Sequence, residues 1–584
     1  MNLKSRRMML TTFQRNGVPG LLFLVIFFSF HLLKISSAAG NEAEALVKWK
    51  TSLPSNSVLD SWSLNNSRNL CNWTGIKCSR AGTVSGINLS GADLNGTLDQ
   101  LDFSSFPNLT VLDINTNNFE GVIPSAIGNL SKLAYLDLTT NLFEDIVPVE
   151  IGLLTELRYL SLFNNSFNGP IPYQIENLQK LRHLELGGNY FDGVIPGEIG
   201  LLTKLRYLSL VYNSFSGPIP YQIGNLQNLR FLNLAENYLE TPDWSKFPSM
   251  PLLSFLFISG NELTLGFPDF ITGCQKLSFL DLSFNYLTGP IPPSLFTNLV
   301  NLEYLGLSDN QFQRLPSPSF ANVSKLNNLQ LHNNNFSGPV PEFLGNISSL
   351  AYVKSYNNFF EGKIPSSLGK LRNLEYLDLR KNYLNSTIPS ELGLLSNLTF
   401  LYLKKNQLSG PIPPEIGNLR SLLLLDLSEN QLSGPIPKTF GNLTSLFNCL
   451  LISNNLSGTL PQEIGNLTTL SSFEVGNNKL SGKLPAEIGK MRALAYFSVK
   501  SNKLSGNLPP EIGKMRALTY FSVKNNTLSG NLPPEIGNMT ALKSLDVRSN
   551  NLSGELPRTL FNLDRLVNLS LSDNQFSGLI SLDL

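Results

Sequence analysis

The sequence predicts an α/β solenoid, a stack of short units that each lend one strand to a parallel sheet and return through tight helical turns on the opposite side. Two observations carry the prediction. Leu, Asn, Leu or Phe, Gly and Pro recur on a grid of 24 or 25 residues, LxxLxLxxNxLxGxIP, from Val84 to the end of the 584-residue chain. Within each unit the segment LxxLxLxx alternates apolar and variable positions with period two, the mark of a strand with one buried face. A chain this long would normally divide into several domains, but a solenoid needs no central core because each unit stacks on the next.

The first positions of the units run from Val84, Leu109 and Leu133 through Leu542 to Leu566, 21 in all. A period of 20 to 29 residues with this consensus is the signature of leucine-rich repeats. Counting each first position as offset 0, side chains at offsets 3 and 5 enter the core. Those at offsets 2, 4 and 6 stand on the concave face, with offset 7 at its margin. Short helical or 3-10 turns are expected on the convex side. Offset 8 is Asn in the last 20 units, as at Asn165, Asn189 and Asn213, where the amide can bond backbone groups leaving the strand.

Before the grid, "NEAEALVKWKTSL" places Leu46, Trp49 and Leu53 on one helical face, as a cover for the open end of the stack. Cys71 and Cys78, in "LCNWTGIKC", are close enough to form a small disulfide loop under oxidising conditions. Cys274 and Cys449 take positions held by Leu elsewhere and read as buried hydrophobes. Residues 1–39 combine Lys4, Arg6, Arg7 and Arg15 with an apolar run from Leu21 to Leu33 and small residues at Ser37 and Ala39. That order reads as a secretory signal peptide. The expected organisation is therefore a leader at 1–39, a capping domain at 40–83 and the repeats at 84–584. The final unit meets its offsets through Ile580 but has Ser581 in place of Pro, so the natural product is expected to continue.

A net charge of +1 removes any global argument for nucleic acid or an anionic membrane as partner. Nineteen Asn residues begin N-x-[ST] sequons: Asn65, Asn72, Asn88, Asn95, Asn108, Asn129, Asn164, Asn322, Asn335, Asn346, Asn385, Asn397, Asn442, Asn455, Asn466, Asn525, Asn538, Asn551 and Asn568. Such density is expected of a secreted glycoprotein.

The cap "EAEALVKWKTSLPSNSVLDSW…CNWTGIKC", the "LSGxIPxxIGNL" repeats and their number resemble the ectodomain of plant leucine-rich-repeat receptor-like kinases, close to the group named after the male-discoverer-interacting receptor kinase. The resemblance implies perception of a short secreted peptide or similar ligand at the cell surface and recruitment of a short leucine-rich-repeat co-receptor kinase. It also implies a C-terminal cap, a membrane span and a cytoplasmic Ser/Thr kinase. The sequence contains no Gly-rich loop with a strand Lys, no "HRD" and no "DFG", so these residues carry no phosphoryl transfer. The second reading is a soluble secreted protein, acting as a decoy or as an inhibitor of microbial wall-degrading enzymes.

Neither catalysis nor a cofactor is expected. His31 falls in the leader, and His183 belongs to an offset-2 column of Tyr and Phe that reads as a stacked surface. Recurrent Asp at offset 4 follows the consensus "LDL" and forms no isolated acid–base pair. Ligand contacts are sought where the concave face breaks its consensus. Phe163, Val211, Tyr212, Phe257 and Phe284 place apolar groups there, and Lys354, Tyr356, Arg380, Lys381, Tyr402, Lys404 and Lys405 follow on three adjacent strands. From Phe163 to Lys404 the spacing is about 50 Å, the reach of about 15 extended residues. Lys500, Lys524 and Arg548 stack cations at offset 6 and form a weaker candidate contact for an acidic partner.

Overall fold

A computed structural model describes residues 40–54, 57–315 and 322–578. The expected leader and the positions Ile580 and Ser581 lie outside them. The chain divides into two compact units, Met1–Leu205 and Arg206–Leu584.

In the first unit, residues 40–52 form a helix whose Ala43, Leu46 and Trp49 are fully buried. Trp49 stacks on Phe119 at 5.7 Å, and its indole N–H donates to the Thr97 carbonyl at 2.9 Å. Glu42 is buried beside it and accepts the backbone N–H of Val84 at 3.0 and 3.2 Å, which closes an otherwise open strand position. Burial pushes that carboxyl up to about 7. Cys71 and Cys78 are joined by a disulfide, and the strand Ile76–Cys78 runs antiparallel to Val84–Asn88. Four parallel strands follow in register, Val111–Asp113, Tyr135–Asp137, Tyr159–Ser161 and His183–Glu185.

The second unit repeats one pattern from the strand Tyr207–Ser209 to Asn568–Ser570. Each strand pairs in parallel with the next at identical offsets, so Leu377 faces Leu401 and Leu401 faces Leu425. The Leu columns at offsets 0, 3 and 5, such as Leu398, Leu401 and Leu403, are fully buried. Phe312, Phe336 and Phe360 form a spine of stacked rings at 6.2 and 6.0 Å. Short 3-10 turns introduced by Pro, such as Pro414–Asn418 after Pro413, cover the far side. Gly417 in that turn is required by close approach, because a Cβ there would lie 2.3 Å from the Thr439 carbonyl oxygen.

Between strand and turn runs a ladder of buried Asn residues. Asn358 is typical. Its amide donates to the carbonyls of Leu331, Ser355 and Tyr356 at 2.9, 3.3 and 3.2 Å, and its carbonyl accepts the N–H of Phe336 at 3.1 Å. One side chain thus satisfies four backbone groups where the chain leaves the sheet. Replacing Asn358 by Leu would leave the buried Phe336 N–H without a partner, at roughly 1 to 3 kcal/mol, while the carbonyls of Leu331, Ser355 and Tyr356 keep donors from Asn334, Asn382 and Asn333. A destabilisation of about 1 to 3 kcal/mol is expected. Denaturant unfolding of the variant checks it, and a loss under about 1 kcal/mol would refute the role.

Candidate ligand-binding face

Period-two alternation holds only as far as offset 6. At offset 7 the backbone turns left-handed in unit after unit, with φ of 53° at Tyr212, 54° at Phe284 and Lys381, and 56° at Lys405. This inverts the direction of the side chain and sends it to the margin of the sheet. The apolar group expected from sequence therefore separates. Tyr212 and Phe284 stand on the margin, 63% and 60% exposed, whereas Val211 is half-buried at offset 6. Phe257 lies on the strand face, packed against Phe231 at 5.5 Å and Phe279 at 4.7 Å. Phe163 belongs to the first unit, where it is exposed at offset 6.

The cation group separates in the same way, and its charges are less free than the sequence implied. Arg380 lies between the rings of Tyr356 and Tyr402, at 4.8 and 5.0 Å from their centroids. Its Nε faces Asp378 at 3.3 Å, and its backbone N–H donates to the same carboxylate at 3.1 Å. Lys354 sits over Tyr376 at 5.5 Å, and Lys404 pairs with Glu429 at 3.2 Å. Lys381 and Lys405 are exposed on the margin, away from Arg380 and Lys404. The strand face thus carries Lys354, Arg380 and Lys404 as a cationic strip, the first two held by three tyrosines and the last by Glu429.

Two residues at this site do more than the sequence reading assigned to them. Asp378 is fully buried and anchors Arg380, although the recurrent "LDL" made it look generic. His332 stacks on Tyr356 at 4.5 Å and faces Asp309 at 3.7 Å, extending the ring column by one strand. The signal available was their place on the grid, Asp378 two residues before Arg380 in one unit and His332 at the same offset as Tyr356 in the unit before it.

Burial pushes the Asp378 carboxyl up to about 6, with Arg380 drawing it partly back, against 3.8 in the unfolded chain. Folding therefore favours the protonated form. That contribution is fully present below pH 3.8 and is lost as pH rises to 6, on the order of 3 kcal/mol. Burial of His332 lowers its imidazole below the usual range, so its contribution runs oppositely and is lost as pH falls. Asp378→Asn is expected to flatten the Asp378 part of the pH dependence, measured as thermal midpoints from about pH 4 to 7 beside the parent chain. An unchanged slope would assign the titration to another group.

His183 of the first unit stacks on Tyr159 at 4.3 Å, and burial pushes it down to about 4, as fits a stacked surface residue. In the weaker cluster, Arg548 makes paired 2.9 Å hydrogen bonds to Asp546, which leaves Lys500 and Lys524 as its half-exposed cations. Among the described residues, no helix is long and apolar enough to cross a membrane.

Family models of leucine-rich repeats match residues 91–256, 251–336 and five segments between 373 and 563, and the leucine-rich-repeat N-terminal domain matches 39–79. The chain is 42% identical over 101 residues to MDIS1-interacting receptor like kinase 2 of Arabidopsis thaliana, a stretch covering 17% of this chain and 10% of that protein. It is 40% identical over 93 residues to the receptor-like kinase RGI3 of the same plant, covering 16% and 8%. The chain thus aligns with about a tenth of the length of these curated relatives. Among solved structures, the Arabidopsis receptor kinase HAESA, in complex with the peptide hormone IDA and the co-receptor SERK1, superposes with a TM-score of 0.78 at 33% identity. That match covers 92% of this chain and 94% of HAESA. The plant peptide hormone receptor RGFR1 in complex with RGF2 gives 0.66 at 32% identity, covering 87% and 96%. All the matching family models are of leucine-rich repeats or their N-terminal domain, whereas the relatives are named as kinases. The chain belongs, by its repeats, its N-terminal domain and its match along nearly the whole HAESA ectodomain, to the plant leucine-rich-repeat receptor-like kinases.

Proposed function

We propose that the strand face of the second unit binds a short extended peptide, with an acidic or C-terminal carboxylate group on Lys354, Arg380 and Lys404 and apolar residues toward Phe257. The observation that carries this reading is the preorganised Arg380. Two tyrosine rings and a buried aspartate hold the guanidinium in place before any ligand arrives, so little side-chain freedom is lost on binding. Lys354 and Lys404, held less tightly on the flanking strands, add charge on both sides. From the strand of Phe257 to that of Tyr402 there are six strand spacings, about 29 Å, the length of about nine extended residues.

Support comes from relatives of the same architecture solved with peptide hormones, one of them with a co-receptor. On this reading the ectodomain is displayed outside the cell after secretion, and the bound peptide recruits a short co-receptor kinase. Peptides from a secreted plant pool selected on the intact ectodomain test it. Loss of affinity on amidating the peptide's carboxylates is the expected result, whereas affinity indifferent to that change and to Arg380→Gln would remove the proposal.

A further inference from the structure

Beside the cationic strip, on the margin of the sheet, lies an open groove of about 670 Å³ whose wall includes Asn335, Asn357, Phe359, Lys381, Tyr383 and Lys405. We propose that this groove seats the N-glycan of Asn335 as an ordered part of the molecule, with its first N-acetylglucosamine against the open face of the Phe359 ring. The inference rests on the secretory passage proposed above.

Asn335 begins the sequon Asn335–Phe336–Ser337 and is exposed. It occupies offset 9, and the same offset in the next two units holds Phe359 and Tyr383. The ladder pairs these units with a stagger of two residues, Ser337 opposite Phe359 and Glu361 opposite Tyr383, and across that stagger the offset-9 rings of Phe359 and Tyr383 still meet. The Phe359 and Tyr383 rings stack at 6.0 Å and 10°, which covers the face of Phe359 turned toward Tyr383. By the repeat of the unit its other face is turned to the side of the unit that holds Asn335, and the residue is 46% exposed.

The apolar C–H face of a pyranose ring would extend that ring column by one member, adding stacking and area burial. The polar edges of the sugar meet suitable partners along the groove. Asn357 presents an amide already oriented by its 2.9 Å hydrogen bond to Asn333, and Lys381 and Lys405 present donors farther along. Among the described residues, no hydrogen bond engages the side-chain amide of Asn335, unlike that of Asn333, which donates to Asp309 at 2.7 Å.

The chain carries its own control. Asn455 occupies the same offset and begins Asn455–Leu456–Ser457, but the next unit places Lys479 where Phe359 stands beside Asn335. The two acceptors share local geometry and differ in the ring. The experiment uses the chain secreted from plant cells, folded and treated with peptide N-glycosidase without denaturant, with site-by-site release followed by glycopeptide mass spectrometry. Release from Asn335 is expected to be about tenfold slower than from Asn455, the equivalent of about 1.4 kcal/mol of protection. Phe359→Ala, which removes the ring without creating a sequon at Asn357, should bring the Asn335 rate to that of Asn455 while leaving Asn455 unchanged, which also reports an intact fold. An unoccupied Asn335, equal release from the two sites in the parent chain, or protection that survives Phe359→Ala would each overturn the proposal. Peptide binding is read separately, so its failure would leave a protected Asn335 glycan standing.

Discussion

Lys354→Glu combined with Lys404→Glu is expected to weaken peptide binding by at least about a hundredfold, since each lost charge-assisted hydrogen bond costs roughly 1.5 to 3 kcal/mol. Both side chains reach solvent, so the fold should survive the double change. Arg380 is deliberately left in place, because a glutamate there would stand beside the buried Asp378 and confound binding with stability. Arg380→Lys is the more instructive companion. It keeps the charge but loses the planar group sandwiched by Tyr356 and Tyr402, so a further loss of affinity would show that stacking orients the cation. Isothermal titration calorimetry, with circular dichroism as the folding control, reads both. Affinity within about threefold of the parent for the double variant would move the peptide off this strip.

Trp49→Ala should be the most destabilising single change in the first unit, at about 3 to 5 kcal/mol. Trp49 is fully buried, stacks on Phe119, and supplies the hydrogen bond that satisfies the Thr97 carbonyl. Truncation leaves a cavity and an orphaned acceptor at the place where the helix covers the sheet. Because repeat stability is built from nearest-neighbour contacts, the damage should stay local. Hydrogen exchange is expected to quicken in the strands Val84–Asn88 and Val111–Asp113 while Ser472–Glu474 keeps its protection. Uniform loss of protection along the chain would instead mean that the repeats unfold as one cooperative block.

Much of this molecule was legible as sequence because its interactions are local and periodic. Leu at offsets 0, 3 and 5 must be inside if the segment is a strand, and Leu401 and Leu403 are fully buried. Asn at offset 8 can reach the carbonyls leaving its own strand and the one before it, as Asn358 does. The helical face of Leu46 and Trp49 and the short Cys71–Cys78 loop follow from spacing just as directly.

What the sequence could not decide is which side chains share a surface once offsets from several units are brought together. Reading Arg380 with Lys381, and Lys404 with Lys405, took offsets 6 and 7 as one surface, although offset 7 is expected at its margin. The left-handed backbone at offset 7 ends the alternation, sending Lys381 and Lys405 to the margin. Charge counting also missed the partners in neighbouring units. Arg380 is held by Tyr356 one unit before and Tyr402 one unit after, and Lys404 by Glu429 of the following unit, each some two dozen residues away. The period of the repeat specified the sheet by itself, whereas the free charge on its surface was decided only by which neighbours the stacking places within a few ångströms.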